Sequence, residues 1–70
     1  MKGKWLKKGE ELYREARKNG WELITKSHDG ILMPENWERK KPDGDWEFKD
    51  AYNGAGFALA PGGEKIMKLW

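Results

Sequence analysis

The chain has 70 residues, a net charge of +2 and a mean hydropathy of −1.04, which allow one small domain with little surplus stability. Without cysteine it can form no disulfide or cysteine-ligated zinc site. A single histidine argues against a histidine-based metal site, and the apolar runs are too short for a membrane span. The basic start, residues 1–8, lacks a following apolar segment, so we expect no secretory signal and a cytoplasmic location.

The first predicted element is a helix from Lys8 to Asn19. Leu12 and Ala16 lie four residues apart, and Trp5 and Leu6, about two turns earlier, extend the same apolar stripe. Early glutamates and late basic residues match the helix dipole. The pair Asn19-Gly20 predicts a left-handed C-terminal cap.

Two hairpins follow. Asp29-Gly30 favours a reversal. If a three-residue loop pairs Ser27 with Ile31, the odd positions form a core face, and Pro34 should end the strand or cause a bulge. This predicted core face contains Trp21, Leu23, Thr25, Ile31 and Met33.

The second turn is predicted at residues 41–45, with strands at 37–41 and 45–49. Pairing across it places Arg39 opposite Glu47 on a solvent face. Trp46 and Phe48 should then point to the core.

The last third is predicted as a loop at residues 50–56, a short strand at 57–60 and a turn at 61–63. Residues 64–70 could form a final strand or a single helical turn, and the strand is preferred because seven residues make a poor terminal helix. The expected fold is α+β, a single domain over residues 1–70 with one N-terminal helix packed on a four- to five-stranded antiparallel meander sheet. Because apolar residues are few, we expect the five tryptophans to be used in its core.

The sequence Ser27-His28-Asp29 contains the only general acid–base candidate of neutral pKa. A catalytic triad needs residues that converge in space, whereas these three are consecutive and lie in a predicted turn. The acidic residues around Gly44 lack the spacing of a calcium loop, and the glycine-rich turns lack the context of a phosphate loop. We therefore expect no catalytic residue, no metal and no cofactor, and hence no enzyme.

One family resemblance concerns His28. The segment from Glu11 to Ile24, followed by Ser27-His28, resembles the HicA-type mRNA interferase toxins. The resemblance implies a fold like the double-stranded-RNA-binding domain and an RNA-cleaving role for His28. The sequence departs from the family at Lys26, where the family has glycine, in a shorter spacing before Ser27, and in having no predicted C-terminal helix.

The favoured function is a small, non-enzymatic protein-binding module. Tyr52 and Asn53 in the predicted loop combine apolar contact with hydrogen bonding, and Arg39 and Lys41 lie on the predicted solvent face of the second hairpin. By size alone, such proteins are often inhibitors or adaptors, including those of phages and other mobile elements. We expect a monomer, or a homodimer through an edge strand, with no membrane partner.

The alternative is RNA or DNA binding, since residues 1–26 carry a charge of +4 against −3 for residues 27–50. The binding residues would then be basic side chains on or before the helix, namely Lys7, Lys8, Arg14, Arg17 and Lys18.

Overall fold

A computed structural model describes residues 3–70, which form one helix and seven strands. The helix α1 spans Gly9–Lys18, and the strands are β1 (Lys4–Trp5), β2 (Glu22–His28), β3 (Ile31–Lys40), β4 (Trp46–Asp50), β5 (Tyr52–Asn53), β6 (Phe57–Leu59) and β7 (Lys65–Lys68). No helix in this part of the chain is long and apolar enough to cross a membrane.

The strands form two antiparallel sheets, a four-stranded sheet in the order β1-β7-β6-β5 and a three-stranded sheet in the order β2-β3-β4. Buried Ala51 links the two sheets, because its N–H donates to the Glu35 carbonyl at 3.3 Å and its carbonyl accepts from the Leu59 N–H at 2.8 Å. The α+β class and antiparallel pairing are confirmed. The single meander is wrong, since the chain changes sheets at Ala51 and β1 precedes the helix.

The predicted helix is confirmed within one residue at each end. Its C-terminus is closed by two backbone bonds, from the N–H of Trp21 to the Ala16 carbonyl and from the N–H of Gly20 to the Arg17 carbonyl, with Gly20 at φ +93°. This is the Schellman arrangement that a glycine after the helix favours. Trp5 belongs to β1 rather than to the helix.

The first hairpin has a different register from the predicted one. Asp29 and Gly30 both have positive φ and form a two-residue loop, so His28, not Ser27, pairs with Ile31. A shift of one residue in register moves the side chains of a strand to the other face of the sheet. Ile31 and Met33 therefore lie on one face of the sheet and Leu23 on the other. The predicted bulge is confirmed, since β3 continues through Pro34 with a register shift beside it.

The second hairpin has the predicted register, with Arg39 opposite Glu47 and a 2.9 Å ion pair between them. The predicted orientation is wrong. Trp37 shares the Arg39 face of β3 and is fully buried, so that face packs inward and turns Trp46 and Phe48 to solvent. Burying one complete indole decided which face of the hairpin became the core face.

In the last third, the strand, the turn and the final strand are confirmed as β6, residues 61–63 and β7. The predicted loop at residues 50–56 is partly wrong, because β4 extends to Asp50 and Tyr52–Asn53 forms β5.

The core lies between the two sheets and α1. Trp37 occupies its centre, with its Nε1–H donating to the Leu59 carbonyl at 2.7 Å and its ring 5.7 Å from Tyr13. Most other members are small or aliphatic, and the buried set is Ala16, Trp21, Trp37, Ala51, Ala58, Ala60, Ile66 and Met67. The expectation that all five tryptophans serve the core is wrong, since Trp5, Trp46 and Trp70 are exposed.

Candidate protein-binding surface

The side of the three-stranded sheet that faces away from Trp37 is here called the outer face. Directly opposed residues of neighbouring strands point to the same side of a sheet, and every second residue does so along a strand. By this rule and the observed register, the outer face comprises Glu22, Ile24, Lys26, His28, Ile31, Met33, Asn36, Glu38, Lys40, Trp46, Phe48 and Asp50.

The outer face exposes three large apolar side chains by more than half of their surface. Trp46 is 52% exposed, Phe48 61% and Ile31 56%, while partly buried Ile24 and Met33 complete the apolar part. Neither the helix nor the other sheet covers Trp46 and Phe48. Their exposed rings are apolar surface that a partner could cover.

An open groove of about 710 Å³ lies at the β2–β3 end of the outer face. Its apolar wall joins side chains of the hairpin to others from β5 and the C-terminal segment. The lining residues are Lys26, His28, Ile31, Met33, Pro34, Glu35, Tyr52, Leu69 and Trp70.

Trp70 is 65% exposed and yet held in place. A Cβ on Gly56 would lie 2.8 Å from the Trp70 Nε1, so the indole packs directly on the bare backbone of this glycine. Tyr52 contacts the same indole, with ring centroids 5.9 Å apart, and the N–H of Leu69 donates to the Gly56 carbonyl at 2.7 Å. Tyr52 and Trp70 therefore form one aromatic wall of the groove.

The charges on the outer face are not paired across the strands. Glu38 on β3 lies between Glu22 on β2 and Phe48 on β4 and is directly opposite both. Glu38 accepts one long hydrogen bond, 3.4 Å from Asn36 Nδ2. Among residues 3–70, the ion pairs are Arg14–Glu10 and Arg39–Glu47, and neither lies on this face.

The four residues predicted to bind protein are not brought together. Tyr52 lines the groove, whereas the Asn53 Oδ1 accepts from the N–H of Ala55 and Phe57 and so fixes its own turn. Arg39 lies on the inner face over the Trp21 ring, 4.4 Å from its centroid, and Lys41 begins the β3–β4 turn.

The Arg39–Glu47 pair has one electrostatic consequence. The hydrogen bond from Arg39 lowers the pKa of Glu47 below its ordinary value of 4.5, and the positive charges of Arg39, Lys41 and Lys49 add to this effect against an opposing contribution from burial. The ion pair is a structural contact at the edge of the core.

Three of the five basic residues predicted to bind nucleic acid share a shallow groove of about 550 Å³ with Trp5 and Tyr13, namely Arg14, Arg17 and Lys18. Glu10 lines the same groove and forms a 2.6 Å ion pair with Arg14. The negative charge of Glu10 lowers the positive potential of the groove. Lys7 and Lys8 lie outside its lining, and Lys8 precedes the helix with φ 65°.

His28 lies at the rim of the apolar groove, at the end of β2. Alternation turns Ser27 to the opposite face, and Asp29 lies in the turn, so the three consecutive residues do not converge.

Within the described chain, no three metal-binding side chains lie close enough to hold an ion. Residues 3–70 contain one helix, so the second helix of the double-stranded-RNA-binding-like fold that the HicA resemblance implies is not found there.

Comparison with protein-family models, with curated proteins and with solved structures finds no match to this chain. The geometry of the outer face and its groove therefore carries the functional argument. Sequence reasoning missed Ile31, Met33, Trp46, Phe48 and Trp70 as residues of the outer face or the groove. For Ile31 and Met33 the available signal was the preference of Asp-Gly for two-residue loops, which gives the observed register of the first hairpin.

Proposed function

We propose that the protein is a non-enzymatic binding module that docks a segment of a partner protein onto its outer face and groove. One observation carries the proposal. Four large apolar side chains, Ile31, Trp46, Phe48 and Trp70, are each more than half exposed on the outer face and its adjoining groove. Concentrated apolar exposure of this kind marks interaction sites on soluble proteins, and aromatic residues dominate the binding energy of interfaces.

Rigidity supports the same function. Trp46 and Phe48 stand on a paired strand, and Trp70 is seated on Gly56 and Tyr52. A partner that binds such a surface loses little free energy in ordering it, which favours affinity. No chemical step is required, in keeping with an inhibitor or adaptor role. A cytoplasmic location stays a prediction.

The proposal can be tested by selecting peptides from a random displayed library against the immobilised protein. We expect enriched peptides that bind the wild type and lose affinity at least about tenfold for Trp46→Thr/Phe48→Thr, because aromatic anchors dominate binding. Threonine keeps β-propensity in β4.

The matched control for this selection is Trp5→Thr, which removes an exposed indole from the helix side of the molecule. It should bind the selected peptides as the wild type does. The proposal fails if the library yields no peptide whose binding depends on Trp46 and Phe48, provided that circular dichroism shows the variants folded.

A second candidate function, nucleic-acid binding, is favoured by the groove that brings Trp5 together with Arg14, Arg17 and Lys18. An exposed indole beside several cations can stack a base and contact phosphates. Arg17→Glu/Lys18→Glu should abolish binding of mixed oligonucleotides, and affinity for the wild type should fall steeply with salt. Absence of oligonucleotide binding at low salt would remove this candidate.

A further inference from the structure

We infer that the outer face recognises a cationic protein segment, one in which a lysine or arginine is flanked by apolar residues. The inference rests on the proposed function and specifies the chemistry of the partner. It comes from the charges that surround Phe48 and Trp46.

Glu22 and Glu38 face each other on the neighbouring strands β2 and β3. Like charges placed directly opposite each other on neighbouring strands repel, and no ion pair to either is found in residues 3–70. On the inner face, β3 and β4 pair Arg39 with Glu47. The same three-stranded sheet thus pairs opposite charges on its inner face and leaves a carboxylate pair unmatched on its outer face. A cation from a partner would match it.

The other charges of the outer face are arranged around Phe48 and Trp46. Asp50 is two residues from Phe48 on the outer face, so Phe48 has carboxylates along its own strand and across β3. The residue directly opposite Phe48 is therefore a carboxylate, and the lysines of this face lie to either side of it. Lys40 is two residues from Glu38 and opposite Trp46, and Lys26 is at the groove.

The ring of Phe48 completes the site. The apolar stem of a lysine or arginine can lie along an exposed ring while its charged head reaches the carboxylates of Glu22 and Glu38. Arginine fits better, since its planar guanidinium both stacks on rings and binds carboxylates through two parallel hydrogen bonds. The flanking apolar side chains of the segment would pack on Trp46 and toward the groove.

The test uses the peptide library with a charge-reversed protein. Glu22→Lys/Glu38→Lys keeps two like charges opposed, so the repulsion within the free sheet is retained while its sign changes. The control Glu11→Lys/Glu15→Lys makes the same change in net charge on the exposed surface of α1.

Peptides selected on the wild type should be enriched in lysine and arginine, and those selected on Glu22→Lys/Glu38→Lys in aspartate and glutamate. Affinity for a wild-type-selected peptide should fall about tenfold or more in the charge-reversed protein and stay within about twofold in the control, because the loss depends on facing charges and not on net charge.

Peptides that need Trp46 and Phe48 but carry no basic residue would overturn this inference and leave the proposed function standing. Failure to select any peptide that depends on these aromatics would overturn both. Sedimentation showing that the wild type self-associates, and that Glu22→Lys/Glu38→Lys does not, would assign the surface to a second copy of the chain and overturn the inference.

Discussion

At the scale of single residues, the five tryptophans divide by position and not by chemistry. Trp37 is fully buried and its indole N–H has a carbonyl partner, whereas Trp46, nine residues later, is half exposed. The difference follows from the face of the hairpin on which each lies. Half of the eight buried residues are alanines, and the fully buried ring of Trp37 fills the space between them.

Trp37→Phe tests the role of this residue. Phenylalanine removes part of the ring and leaves the Leu59 carbonyl without its donor, so we expect the free energy of unfolding to fall by about 1–3 kcal/mol. Urea denaturation followed by circular dichroism measures the change. An unchanged urea midpoint would show that the hydrogen bond and packing of Trp37 contribute nothing.

Glu47→Gln tests the ion pair with Arg39. Because the pKa of Glu47 is lowered in the folded protein, the pair stabilises the fold above the unfolded-state value of 4.5, and this contribution is lost as the pH falls through the folded-state pKa. The difference in stability between the wild type and Glu47→Gln should therefore shrink as the pH falls below the ordinary value of 4.5. Urea midpoints for both proteins across this range measure it, and a constant difference would contradict the account.

At the scale of elements, local signals located the helix, its cap and both turns, because each depends on a few neighbouring residues. The Asn19-Gly20 end and the Arg39–Glu47 register are examples. The facing of the strands could not be predicted in the same way. In the second hairpin, both faces contain aromatic residues, and the burial of Trp37 against α1 and the other sheet decides between them.

Gly44→Val tests the second turn. Gly44 has φ +95°, where a β-branched residue is strained, so we expect a loss of more than about 1 kcal/mol of stability. Gly54→Val is the matched control, since Gly54 has no positive φ and open space around it. Equal melting temperatures for the two variants would show that the turn conformation does not matter.

Glu22→Lys tests the unmatched carboxylates. A lysine opposite Glu38 replaces repulsion by attraction, so stability should rise by about 0.2–1 kcal/mol at low salt and the gain should decrease as salt is added. Glu15→Lys controls for the change in net charge. A destabilised Glu22→Lys protein would mean that the opposed glutamates do not repel.

At the scale of the whole molecule, the chain folds around a small core and leaves much of its aromatic area outside. The core and helix side were partly predictable, since Leu12, Ala16 and Trp21 belong to local patterns. The candidate binding surface was less so. Asp29-Gly30 was a local signal for the register of the first hairpin, but the facing of the second hairpin and the position of Trp70 against Gly56 depend on contacts between segments that are apart in the sequence. Such contacts leave no local sequence signal.

Binding to the outer face can be followed through the five tryptophan indole N–H signals in a proton–nitrogen NMR spectrum during titration with a selected peptide. We predict that the Trp46 signal, and that of Trp70 if the peptide reaches the groove, shifts while those of Trp37 and Trp21 stay in place. A shift confined to Trp5, with Trp46 unmoved, would contradict the account and place binding on the helix side of the molecule.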